Sequence, residues 1–189
     1  MSSGKAHSAA AGGDRYDALE IFFHWATVIL VVLLYLLAQA WGFLPHASDF
    51  RHGLESLHVS IGLVLTAVVV LRVVWILGPG RRVAPASSGL AQFATTLIQY
   101  ALYGLLAAVI VLGLLNRWGH GDPLSFFGAF TIPSPYAFSK DQAHTFNEIH
   151  ELVANTILAL AGLHACAALA HHYVLKDGIL RRMLPAGRA

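Results

Sequence analysis

Eleven of the 189 residues are histidine, and six of these, His24, His58, His150, His164, His171 and His172, fall inside or at the edge of long apolar runs. A ring nitrogen at such depth needs a hydrogen-bond partner or a ligand role, because an unsatisfied polar group in hydrocarbon is costly. His150 and His164 are fourteen residues apart, which on a helix is about 21 Å and a return to within about 40° of the same face. One stripe of one helix therefore offers two imidazoles at two depths. Neutral imidazole is a good metal ligand, and facing imidazoles suit the two axial positions of an iron porphyrin lying flat between helices. Zinc suits the pattern less well, since it takes three or four protein ligands and points about 21 Å apart cannot share one ion.

The remaining histidines carry less. His7 lies in an N-terminal polar stretch, and His46, His52, His120 and His144 lie in polar links, where a solvated side chain is the expectation. The single cysteine, Cys166, sits in an apolar run and reads as a small buried hydrophobe. One cysteine excludes an internal disulfide framework, a cysteine-rich zinc site and the C-x-x-C-H attachment of covalent haem. Any haem is therefore held by side-chain ligation alone.

The elements that must position these rings are legible from composition. The chain is 57% hydrophobic and only 12% charged, too apolar for a water-soluble domain and a poor fit to disorder, a coiled coil or a nucleic-acid surface. A hydrocarbon layer of about 30 Å takes roughly 20 residues of helix. Four stretches meet that length: 19–41, 58–77, 93–115 and 148–173. Gly78-Pro79-Gly80 stops the second. Residues 1–17 read as a retained tail, the following apolar run being too long for a secretory signal. Trp25, Trp41, Trp75 and Trp118 fall near span ends, where an indole favours the headgroup zone.

Lys5, Arg15, Arg72, Arg81, Arg82, Lys176, Arg181, Arg182 and Arg188 gather on one side, against Arg51, Arg117 and Lys140 on the other. Positive loops stay in the cytoplasm, so both termini are expected inside. The links 42–57 and 116–147 then face outward, the longer one, rich in Phe, Tyr, Pro and Gly, as a cap over the bundle. In this antiparallel order His58 is level with His150 near the outer face. His24 lies nearer the level of His164 at the inner face, although His171, seven residues beyond His164, matches that level as well.

The residues Phe23-His24-Trp25, Leu57-His58-Val59-Ser60-Ile61-Gly62, Ile149-His150-Glu151 with Ala154-Asn155, and Gly162-Leu163-His164-Ala165 followed by Ala167-Ala168-Leu169-Ala170-His171-His172-Tyr173 resemble the bacterial cytochrome b561 family over nearly the whole chain, from Tyr16 to Pro185. That resemblance implies His24 with His164 on an inner haem b and His58 with His150 on an outer one. It implies an all-α membrane protein, a four-transmembrane-helix bundle enclosing two b-type haems, with both termini cytoplasmic. The expected layout is a tail at 1–18, the cytochrome domain at 19–175 and a second tail at 176–189, in the bacterial inner membrane. Gly62 and Gly162 either admit the porphyrin or serve helix contact. Arg72, fourteen residues past His58, either pairs with a haem propionate or snorkels to the inner headgroups.

Two imidazoles on one iron leave no open position for oxygen, which favours electron transfer. The lipid phase suggests a quinone as one partner, and the resemblance implies ubiquinone, with superoxide or another small donor at the outer face. Arg51, Arg117 and Lys140 there are opposed by Asp49, Glu55, Asp122 and Asp141, so no anion funnel is evident. The sequence assigns no catalytic side chain. A membrane-anchor subunit relaying electrons between quinone and a partner dehydrogenase uses the same bundle. A metal permease ranks behind both, because the spans hold few interior acids.

Overall fold

The computed structural model describes residues 15–81, 83–85, 88–136 and 138–185. Lys5, His7, Arg82 and Arg188 lie outside them. Four helices dominate: α1 (Ala18–Gly42), α2 (Asp49–Leu77), α3 (Gly89–Gly119) and α4 (Lys140–Ala170). Each is long and apolar enough to cross a membrane, α4 together with a following π-helical turn at His171–Leu175. A short antiparallel hairpin, β1 (Leu124–Phe126) and β2 (Phe130–Ile132), lies between α3 and α4.

The helix limits follow from caps as much as from hydropathy. Asp17 accepts the Glu20 N–H at 2.9 Å and starts α1, while Ser139 and Gln142 form a reciprocal capping box that starts α4. Because capping needs no apolar residue, α4 begins eight residues before its apolar run; α2, whose N-cap Ser48 makes no side-chain bond, begins nine residues before its own. His52 and His144 consequently stand on helices instead of in links. Both are well exposed and sit beside Glu55 and Glu148. At the end of α2 the Gly80 N–H bonds the Trp75 carbonyl at 2.8 Å. A Cβ at Gly80 would come within 2.7 Å of that oxygen, so this tight stop admits only glycine.

The helices pack as two pairs, α1 on α2 and α3 on α4, with a thinner contact between α2 and α3. Leu34, Leu65 and Val69 form the small apolar core, flanked by Leu30, Val31, Ile61 and Ile110. Many large apolar side chains, including Ile29, Val70, Leu97 and Leu163, face outward. That is the surface expected toward lipid, where every backbone group is satisfied inside its own helix. Cys166 also lies on the exposed surface of α4 and not in the core as expected, a placement that a small apolar thiol facing acyl chains tolerates.

One end of the bundle carries the hairpin and the other carries both termini. At the hairpin end Ser60 of α2 is almost completely enclosed. Its hydroxyl accepts the Phe127 N–H at 3.0 Å and lies 3.1 Å from the Ser125 carbonyl and 3.0 Å from the Ser56 carbonyl. The long link thus packs on the bundle through a buried serine. At the terminal end the Trp75 indole donates to Asp17 at 3.0 Å, and the Trp25 indole donates to the Met183 carbonyl at 2.7 Å. These two tryptophans thus also tie the ends of the chain to the bundle. Burial pushes the Asp17 carboxyl up, but the N–H groups of Glu20 and Arg81 and the Trp75 indole outweigh it and hold it below its ordinary value.

Candidate metal centres

At the hairpin end each helix contributes to one site. His58 projects from α2 and His150 from α4, with ring centroids 6.4 Å apart and planes at 72°. The Nδ1 of His58 lies 3.1 Å from the Leu34 carbonyl of α1, and the Nδ1 of His150 lies 3.1 Å from the Val109 carbonyl of α3. A carbonyl only accepts, so both Nδ1 atoms carry the proton and both Nε2 atoms keep a lone pair. Such a bond from the ring nitrogen away from the metal fixes the tautomer of a metal-bound histidine. Two imidazoles on opposite sides of one ion, each nitrogen about 2 Å from the metal, put their ring centres roughly 6 Å apart. The pair has the tautomer and the separation that this requires.

Two further side chains shape this site. Trp41 of α1 meets the His58 ring edge-on at 5.0 Å. Gly113 of α3 faces His150, and a Cβ there would lie 3.1 Å from the imidazole Cε1. Sequence reading placed Trp41 only at a span end and passed over Gly113. A glycine inside an apolar span hints at close approach, but nothing in the sequence indicates which side chain approaches it.

The terminal end also draws on all four helices. His24 stands on α1 and His164 on α4. Arg72 of α2 is buried, places a guanidinium nitrogen 3.3 Å from His24 Nδ1 and lies 5.2 Å over the Tyr103 ring of α3. Its Nε has no hydrogen-bond partner. The choice left open for Arg72 is thereby narrowed: the side chain turns inward instead of snorkelling. Because guanidinium only donates, His24 Nδ1 is the acceptor here and the proton of the neutral ring sits on Nε2. His171 bonds Asp177 beyond the end of α4, and His172 packs on the Tyr173 ring.

Among the described residues no group of three or more His, Cys, Asp or Glu side chains gathers at one point. A Cβ at Gly62 or Gly162 would meet nothing within 4 Å. Neither glycine serves helix contact, and Gly62, four residues beyond His58 on the same helix face, leaves room beside that ring for a flat group. Of the cations expected outside, Arg51 pairs with Glu55 at 2.8 Å and bonds the Trp41 carbonyl at the end of α1, and Arg117 pairs with Asp122 at 3.0 Å.

A family model described as prokaryotic cytochrome b561 matches residues 15–186. The chain is 33% identical over 172 residues to "Cytochrome b561 homolog 2" of Escherichia coli K12, covering 90% of this chain and 92% of that protein. It is 29% identical to a Yersinia pestis protein named "Probable superoxide oxidase CybB", covering 92% and 98%. It is 31% identical to "Cytochrome b562" of Cereibacter sphaeroides, covering 89% and 94%. The family implies b-type haem, and the His58–His150 pair is a donor set of the kind such a group takes. With four membrane-length helices and a family match over nearly its whole length, the chain belongs to the prokaryotic cytochrome b561 family of multi-pass membrane cytochromes.

Proposed function

We propose that the protein is a two-haem superoxide:ubiquinone oxidoreductase of the inner membrane, with the hairpin end outside and both termini in the cytoplasm. His58 and His150 hold the outer haem, and His24 and His164 the inner one. The observation that carries the reading is the His58–His150 pair, with both Nδ1 atoms on carbonyls and the rings 6.4 Å apart. When bound, haem would supply one-electron transfer, and an imidazole pair such as His58 with His150 would hold it. Two superoxide ions each give up one electron and become oxygen. Ubiquinone takes the two electrons with two protons and becomes ubiquinol.

The chain's own residues position and insulate. The Leu34 and Val109 carbonyls fix the outer rings, Trp41 and Gly113 shape their walls, and the hairpin on Ser60 covers that end. Arg72 lies where it can neutralise a propionate of the inner group. Ligation by His24 Nε2 then requires Arg72 to release Nδ1. His164 is favoured over His171 as the partner because His171 is bonded to Asp177 beyond the end of α4.

Support for superoxide as donor comes from the name of the Yersinia pestis relative. The pairing of Arg51 and Arg117 with carboxylates leaves little free positive charge to steer a small anion. That observation favours a second reading, a cytochrome subunit fed by a partner dehydrogenase. Rapid mixing of the purified, haem-loaded protein with a superoxide pulse separates the two. Haem reduction, followed by reoxidation with a soluble ubiquinone analogue, is expected. Haems that stay oxidised under superoxide but are reduced by dithionite reject that donor, and a co-purifying redox subunit then supports the second reading.

A further inference from the structure

Past the π-helical turn at His171–Leu175 the chain reverses through two residues of positive φ, Lys176 at 53° and Gly178 at 75°. The reversal encloses a cavity of about 280 Å3 lined by His172, Tyr173, Lys176, Gly178 and Arg181. Lysine at positive φ is an uncommon and strained choice where glycine or asparagine is favoured. The strained Lys176 lines this pocket together with Arg181.

The charges around the pocket differ in their commitments. Arg15 donates to the Leu184 carbonyl at 2.6 Å, and Arg182 donates to the Ala84 carbonyl at 2.9 Å. Asp177, the one acid in the reversal, is engaged by His171 and by the Ile179 N–H. The His171 hydrogen bond holds its carboxyl below the ordinary value, so it stays ionised. Lys176 and Arg181 have no carboxylate within ion-pair distance among the described residues. The pocket thus keeps two cations for an outside anion, against one carboxylate turned to its own loop.

Position identifies the anion. The membrane-length stretch Lys140–Leu175 ends at this pocket, and Tyr173, Val174 and Leu175 beside it are 69%, 75% and 62% exposed. An amphipathic ring and two aliphatic side chains at a span end lie where acyl chains meet headgroups, and basic pockets at this depth suit phospholipid head groups. We propose that Lys176 and Arg181, with Tyr173 at the rim, form a binding site for the phosphate of an anionic phospholipid. The proposal rests on the membrane-spanning fold alone and is independent of the electron donor.

Native mass spectrometry of the haem-loaded, full-length protein in detergent, titrated with phosphatidylglycerol or phosphatidylcholine, tests it. Phosphatidylglycerol retention is expected to exceed that of phosphatidylcholine. Each removed charge should weaken it about five-fold, and Lys176→Gln with Arg181→Gln about 25-fold. Lys176→Arg and the distant control Lys140→Gln should retain it. Equal retention of the two lipids, or undiminished phosphatidylglycerol binding in the double variant, overturns the proposal. So does displacement of the lipid by millimolar inorganic phosphate, which would make the site one for a soluble anion. Should the double variant fold poorly, judged by pigment content, Arg181→Gln alone carries the test. Its expected result is the five-fold loss, and wild-type retention in it overturns the assignment.

Discussion

The two histidine pairs are built on different principles. At the hairpin end each ring is held by a backbone carbonyl from a neighbouring helix, so the tautomer is set by groups that have no other state. At the terminal end the ring of His24 is held by Arg72, a side chain that carries charge, lacks a partner for its own Nε and stacks on Tyr103. Backbone carbonyls make a rigid, preorganised donor set, whereas a guanidinium can exchange one acceptor for another. Under the proposed reading the first pair is ready for iron as it stands. The second couples ligation to where Arg72 directs its N–H groups.

The largest expected departure comes from crowding the preorganised pair. Gly113→Leu forces a side chain onto the His150 ring, at a cost of about 1–3 kcal/mol. Haem content should fall toward one per chain, with the remaining spectrum that of the terminal-end group, and unchanged content would show that the ring does not need this wall. Next is Arg72→Gln, which removes the buried positive charge beside His24. A cation stabilises the reduced state of a nearby centre, so one of the two midpoints in a redox titration should drop, by ~60 mV for each 1.4 kcal/mol of lost interaction. Equal shifts in both midpoints would mean that the two sites are not distinct.

Smaller again is Ser60→Ala, which leaves the Phe127 N–H without its acceptor. About 1 kcal/mol of hairpin stability should be lost, read as faster amide exchange at 124–132 with haem content retained. The smallest effect is at Asp17. Its carboxyl is held below the ordinary value by the Glu20 and Arg81 N–H groups and the Trp75 indole, against the upward push of burial. The stability it contributes is therefore fully present above the unfolded-state value near 4 and is lost as pH falls through the lower folded value. The stability gap between the wild type and Asp17→Asn should close as pH drops from 6 to about 3. A gap independent of pH would assign Asp17 a role other than accepting these bonds as a carboxylate.

The pattern of legibility has the same physical root as the contrast between the sites. Four helices follow from apolar length, and the meeting of His58 with His150 from depth on antiparallel rods. Such one-dimensional quantities survive without coordinates. The starts of α2 and α4 fell outside that reading; the Ser139-Lys-Asp-Gln142 spacing was there to be read as the cap of α4, whereas Ser48 at the start of α2 makes no side-chain capping bond. The inward turn of Arg72, the approach of Gly113 to His150 and the burial of Ser60 against the hairpin depend on helix rotation and on a non-local contact. Sequence spacing fixes neither. The exposure of Cys166 follows likewise from which face of α4 meets lipid.

The central claim is that each pair holds one haem b. A pyridine haemochrome assay on the purified wild type, His150→Ala and His24→Ala measures it directly. The account predicts two non-covalent haems b per chain in the wild type and one in each variant. A single haem in the wild type, or full pigment in either variant, contradicts it.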